Sequence, residues 1–321
     1  MMLHSSRKKS RKFLGLGLFV LTLFAIFCIG ACGDKAALRV ADTVRSPAPV
    51  RVIQHAIGKT QVPLNPQRVV AIGFTVDPIL SLGVKPIGVS SDEPKYLQSQ
   101  LEGVVNIGTD YAPNLEKILA LKPDLILASR DLHKGIYNSL SHIAPTVMDQ
   151  AKSNADWKEV TMLVAKTLGK TEKAEQVMVN YYARLEEFKA KMGDRLNQIE
   201  VSVIRPLPGQ MELNFKDVFP GTILEDAHLR RPPAQDKDSW GTEITKERFR
   251  DADGDVIFMF TWGFESQNAL KELKTDPLWS QLNAVKYNQV CQVGEHWISH
   301  GPIAANLVIN DLFECLVEGN R

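Results

Sequence analysis

The sequence predicts an α/β protein of two parallel-sheet lobes joined by one long α-helix. Three observations lead there. Short apolar, β-rich runs alternate with helix-spaced segments from Arg68 onward, the pattern of parallel βα units. About 270 residues follow residue 50, more than one hydrophobic core usually holds. Between two such βα blocks, residues from Asp156 to Met192 read as helix with one interruption at Gly169-Lys170.

The elements follow in chain order. Residues 1–31 carry Arg7, Lys8, Lys9, Arg11 and Lys12, then an apolar run from Phe13 to Cys28, which reads as a secretory signal. That run is short of the roughly 20 residues that a spanning helix needs. Ile29-Gly30-Ala31-Cys32 resembles the lipobox of bacterial lipoproteins, in which the cysteine is diacylated and becomes the new N-terminus. Lipidation of Cys32 would hold the chain at the outer face of a membrane, because each buried CH₂ contributes about 0.8 kcal/mol. The alternative is an uncleaved N-terminal anchor, and both place the bulk of the chain outside the cytoplasm. Residues 32–50, with "SPAPV" inside, form a tether.

The first lobe, 51–154, contains the strand candidates "RVVAIG", "PIGVS", "VVNIG" and "DLILAS". Their unbroken apolarity predicts a sheet covered by helices on both faces. The connecting segment, 155–192, carries Ala174, Val177, Met178, Tyr181, Leu185 and Phe188 on one helical face. Thr171 is its candidate N-cap. From Thr171 to Met192 such a helix is about 33 Å long, enough for a strut. The second lobe, 193–321, offers "VSVIRP", "MELNF", "DVIFMF" and "NQVCQVG" as strands. It closes on a helix from Pro302 to Val317, and 230–241 is irregular.

Charge and cysteine usage narrow the function. The full chain has 38 basic and 37 acidic residues; removing 1–31 leaves 33 against 37, a net of −4. Such a mildly acidic domain gives no sign of nucleic-acid binding. Cys28 leaves with the signal and Cys32 takes lipid, so Cys291 and Cys315 remain, either as a disulfide or as two buried thiols.

Catalytic motifs are missing. "GKT" occurs at 58–60 and 169–171, but Ile53 and Val164 stand where a phosphate-binding loop needs glycine. No G-x-S-x-G elbow or H-E-x-x-H is present. His296 and His300 have metal-ligand spacing, but Gly301-Pro302 beside them argues for a loop. Open α/β sheets bind ligands at the loops that leave strand C-termini. Those loops offer Phe74, Thr75, Ser90, Ser91, Thr109, Tyr111, Ser129, Arg130, Arg205, Thr261, Trp262 and Trp297. The set is aromatic, cationic and hydroxyl-bearing, with no nucleophile–base pair, and suits a bulky anionic ligand that is held and not converted. Arginine grips carboxylates with a charge-assisted fork, and tryptophan gives stacking area.

With "VPLNPQRVVAIG", "LGVKPIGV", "NIGTDYAPNLEKILALKPDLIL", "GTILEDAHLRRPPAQ" and "GPIAANLVINDLF" in this order, the chain resembles ABC-transporter solute-binding proteins of the iron-siderophore and cobalamin type. The likeness runs from about Arg51 to the C-terminus and is strongest to lipoproteins that bind ferric dicitrate or ferric siderophores. It implies a cleft between two lobes, a modest opening motion about a rigid helix, and an Fe(III) chelate as ligand. The protein would be a monomer that serves a permease with a cytoplasmic ATPase. The family's docking glutamates correspond by motif to Glu116 and Glu225. Close relatives often carry Arg and Tyr in the strand that here reads "MELNF"; Glu212 and Asn214 take those places, so that either the pocket suits a different chelate or Glu212 points away from it. Because Fe³⁺ prefers hard oxygen ligands and travels inside a chelator, no protein ligand cluster is needed. The rival readings are cobalamin or haem as ligand, a free Zn²⁺ or Mn²⁺ carrier, a lipid-anchored enzyme and a structural lipoprotein.

Overall fold

The computed structural model describes residues 49–319; the signal segment, Cys32 and all but the end of the tether lie outside them. The described chain opens with a hairpin, β1 (Val50–His55) and β2 (Gly58–Pro63), paired antiparallel. Ile53 and Val62 turn inward from it onto the first core.

The first sheet then forms from short βα units. Its elements are β3 (Val69–Ala71), α1 (Val76–Ser81), β4 (Gly88–Val89), α2 (Lys95–Gln98), β5 (Val105–Asn106), α3 (Leu115–Ala120), β6 (Leu125–Ala128), α4 (Arg130–His133), α5 (Tyr137–Ile143) and β7 (Thr146–Met148). The strand order is β5-β4-β3-β6-β7, and every pairing is parallel. Successive residues feed opposite faces. Val69, Leu125, Leu127 and Val147 join one apolar cluster, and Val70, Ile126, Ala128 and Met148 join another. Both faces are covered, so the strands show no polar alternation.

Two helices then cross from one core to the other. Helix α6 (Trp157–Leu168) buries Val160, Val164, Ala165 and Leu168 in the first lobe's core and Trp157 in the second's. It stops at Gly169, whose φ of 71° is the left-handed C-cap conformation that glycine adopts without strain. Helix α7 (Thr171–Met192) starts with Ala174 in the first core and ends with Tyr181, Leu185, Phe188 and Met192 in the second. Thr171 is the first helical residue and Lys170 the N-cap, one position from the expected one.

The second sheet contains β8 (Val201–Leu207), β9 (Gln210–Asn214), α8 (Phe219–Asp226), β10 (Gly241–Thr245), β11 (Val256–Phe260), α9 (Gly263–Lys274), α10 (Asn283–Lys286) and β12 (Val290–Val293). Its order is β10-β9-β8-β11-β12. β8, β11 and β12 pair parallel, whereas β9 pairs antiparallel with both β8 and β10, so this sheet is mixed. The cause is local. Only Pro208 and Gly209 separate β8 from β9, and a two-residue turn makes a hairpin where a parallel crossover needs about a dozen residues. The last helix, α11 (Pro302–Leu312), continues as a π-helical turn, Phe313–Val317, and Cys291 on β12 is disulfide-bonded to Cys315 in that turn.

A buried contact ties α1 of the first lobe to α11 of the second. Helix α11 starts at Gly301 with no side-chain cap of its own. The buried carboxylate of Asp77, on α1, supplies the cap by accepting from the N–H groups of Ile303 at 2.9 Å and Ala304 at 3.0 Å. The Tyr96 hydroxyl donates to Asp77 at 3.0 Å and also bonds Ser299. A Cβ at position 301 would collide with Asp77, so glycine is required there.

Burial raises the Asp77 pKa from 3.8 to about 6, against the opposing effect of its hydrogen bonds. A raised folded-state pKa means that the group's contribution is fully present below 3.8 and is lost as pH rises through about 6. Asp77→Ala is expected to lower stability by about 3 kcal/mol, because two helix N–H groups and a buried hydroxyl lose their partner. The gap between wild type and Asp77→Ala should narrow as pH rises across that window, as denaturation of both proteins along a pH series would read. Reduction of the disulfide, whose cysteines are 24 positions apart, is expected to cost a further ~3 kcal/mol on the chain-entropy account, checked by the shift in Tm with and without a thiol reductant.

Candidate functional site

A cavity of about 640 Å³ opens where loops leave the C-terminal ends of parallel strands of both lobes. From the first lobe come Gly73 and Phe74 after β3, residues 91–95 and Gln98 after β4, Asp110 and Tyr111 after β5, and Leu132 after β6. From the second come Trp262 after β11 and Glu295, Ile298, Ser299 and His300 after β12. This is the crevice in which open α/β sheets place ligands, and its size suits a bulky small molecule.

A polar network under the first-lobe wall holds three of these loops. Ser129, at the end of β6, donates to Asp149 at 2.9 Å and accepts from the N–H of Phe74 at 2.8 Å. The N–H of Ser129 donates to His133 Nδ1, which leaves the imidazole proton on Nε2; that atom donates to the Asp110 carbonyl at 2.8 Å. The Asp110 carboxylate in turn accepts from the N–H of Gly73 at 3.0 Å. Burial lowers the His133 pKa and raises that of Asp149 to about 6. The loops after β3, β5 and β6 are therefore tied into one preformed surface.

Across the cavity, Glu295 accepts from the N–H of Lys95 at 2.5 Å, and the rings of Phe74 and His300 lie 4.6 Å apart. Burial pushes His300 down to about 4, so the ring is neutral near pH 7. Burial, then the charge of Asp110, pushes Glu93 up to about 8, partly offset by the hydrogen bond from Ser90. The lining differs from the expected cationic one. It holds Asp92, Glu93, Asp110 and Glu295 against a single Lys95, and no arginine.

The residues expected at the site divide. Tyr111 and Trp262 line the cavity and remain largely exposed. Trp297 does not reach it. Its buried indole stacks on Phe258 with centroids 4.7 Å apart, and its N–H donates to Asp311 at 2.6 Å. Thr75 is also buried, its hydroxyl spent on the Ile72 carbonyl. Arg205 pairs with Glu212, its cross-strand neighbour in the β8–β9 hairpin, and Arg130 forks onto Asp131. Thr109 closes its own turn by accepting from the N–H of Ala112, and Thr261 is half-buried; neither lines the cavity. Glu116 on α3 and Glu225 on α8 are exposed. The candidate pair His296 and His300 separates, because His296 bonds Asp311 at 2.7 Å while His300 faces the cavity. Sequence reasoning missed Asp92, Glu93, Lys95, Asp110 and Glu295. Their signal was position, within a few residues of the ends of β4, β5 and β12.

Residues 73–296 match the family described as "Periplasmic binding protein". This chain belongs to that family. A probable siderophore-binding lipoprotein of Bacillus subtilis is 32% identical over 311 residues, covering 90% of this chain and 94% of the relative. An Fe(3+)-citrate-binding protein of the same organism is 32% identical over 250 residues, 75% of this chain and 77% of the relative. Among solved structures, Staphylococcus aureus SirA complexed with staphyloferrin B superposes with a TM-score of 0.73 at 29% identity, over 83% of this chain and 98% of SirA. The family assignment and the two-lobed architecture agree with the resemblance read from the motifs.

The two tryptophans therefore predict opposite phenotypes. Trp297→Ala is expected to cost about 3–5 kcal/mol of stability, since it empties a core site. Trp262→Ala should leave Tm within about 2 °C of wild type, because the side chain is 53% exposed. Thermal melts of the two variants without ligand would check both.

Proposed function

We propose that this protein captures a ferric siderophore in the cleft between its lobes and delivers it, unconverted, to an ABC permease powered by a cytoplasmic ATPase. It would work as a monomer outside the cytoplasm, held to the membrane through lipid on Cys32. The observation that carries the reading is the cavity of about 640 Å³ between the lobes, with Tyr111 and Trp262 exposed on its wall, in a chain whose relatives are named for siderophore and Fe(3+)-citrate binding. Among the described residues no group of three or more His, Cys, Asp or Glu side chains is arranged to hold a metal ion. The chelator would supply the oxygen ligands to Fe³⁺, and the protein would touch only the chelator's outer rim. Exposed Glu116 and Glu225 lie on helices of different lobes, and we assign them to docking on arginines of the permease.

A thermal-shift panel of ferric siderophores, ferric citrate, cobalamin and haem tests the ligand class. A ferric chelate at 100 times its Kd should stabilise the protein by about 2.7 kcal/mol, with cobalamin and haem giving no shift; a shift from either of those alone would replace the reading. Trp262→Ala should weaken the preferred chelate about tenfold or more. Glu116→Lys combined with Glu225→Lys should leave binding intact and stop iron uptake in cells.

A further inference from the structure

We infer that the cleft prefers ferric chelates with a neutral or cationic outer rim, an amine-bearing tris-hydroxamate being the fitting chemistry, over polyanionic carboxylate or catecholate chelates. The inference rests on the ferric-chelate reading above and specifies the ligand class.

The charge of the lining leads there. The cavity brings Asp92, Glu93 and Asp110 from the first lobe together with Glu295 from the second, and sets only Lys95 against them. Burial keeps Glu93 largely protonated and His300 neutral near pH 7. Three carboxylates then face one ammonium. The arginines best placed by sequence to reverse this sign are already neutralised elsewhere. Arg205 is bound to Glu212, which itself also accepts from Asn214, and Arg130 is bound to Asp131.

Among the described residues the same carboxylates are not gathered into a cation cage. One oxygen of Glu295 accepts from the N–H of Lys95, which leaves its second oxygen for a ligand donor. Tyr111 is 80% exposed and Trp262 53% exposed. Such open aromatic faces cover a chelate's methylene chains whatever its charge. Three monoanionic hydroxamates neutralise one ferric ion, and a pendant amine makes the complex a cation. Three catecholates leave a trianion, and citrate complexes are anionic. Like charges brought together in a desolvated cleft act as a repulsive selector.

Fluorescence titration of the purified protein tests the idea with four Fe³⁺-loaded probes: a linear tris-hydroxamate with one free amine, its N-acetylated derivative, citrate, and a tris-catecholate. The aminated chelate should bind at least tenfold more tightly than the acetylated one, and both more tightly than the anions. Asp92→Asn with Glu295→Gln should bring the aminated-to-acetylated ratio close to one, whereas Trp262→Ala should weaken both alike. The preference should also shrink with added salt. Tightest binding by citrate or the catecholate overturns this inference and leaves the ferric-chelate reading standing. Binding of none of the four overturns both.

Discussion

The carboxylate of Asp77 holds the two halves of this protein in register. It sits on the first helix of the first lobe and caps the last helix of the second, and Tyr96 and Ser299 extend the contact. A helix that begins on glycine and proline has free N–H groups and no side chain to satisfy them. Here the satisfaction comes from the other lobe, more than 220 residues away in sequence. Asp77 is fully buried, so the cap itself is shielded from water. Ser299 and His300 enter the cavity from the segment immediately before this cap, so the cap also sets the position of one cleft wall.

The opposite wall is built on a different principle. Ser129, His133, Asp110 and Asp149 connect the loops after three strands through hydrogen bonds that run mostly to backbone groups. Such a network fixes the shape of the surface and leaves the exposed side chains free to vary. The cleft is thus a preformed wall facing a wall placed by helix capping, with the α6–α7 pair rooted in both cores behind it. Loops tied together by these bonds have less freedom to lose when a ligand binds, which lowers the entropic cost of binding.

Much of the architecture was legible because it follows from periodicity. Apolar runs such as "DLILAS" and "DVIFMF" announced buried strands, and Gly169 marked the break between two helices where its left-handed φ ends the first. What escaped was short or depended on partners. β7 has three residues, and β10 lies beside a stretch that reads as irregular. The site was less legible than the fold. Position after a strand pointed to Tyr111 and Trp262, which line the cavity, but it could not separate Trp262 from Trp297, because the 3-10 turn at 295–298 rotates that indole into the core. Nor could composition show that Arg205 and Arg130 are engaged by carboxylates, since cross-strand register and side-chain reach decide this. The acidic sign of the cleft emerged only when four carboxylates from three separate loops were brought to one cavity.

The bond between Cys291 and Cys315 closes a covalent ring that contains both the cleft segment 295–300 and α11. Because both ends of the ring are anchored, exchanges at Glu295 or His300 are decoupled from the retention of β12 and the C-terminal turn. The consequence is evolutionary: a lineage could retune its cargo at these positions while Asp77 and the disulfide preserve the scaffold.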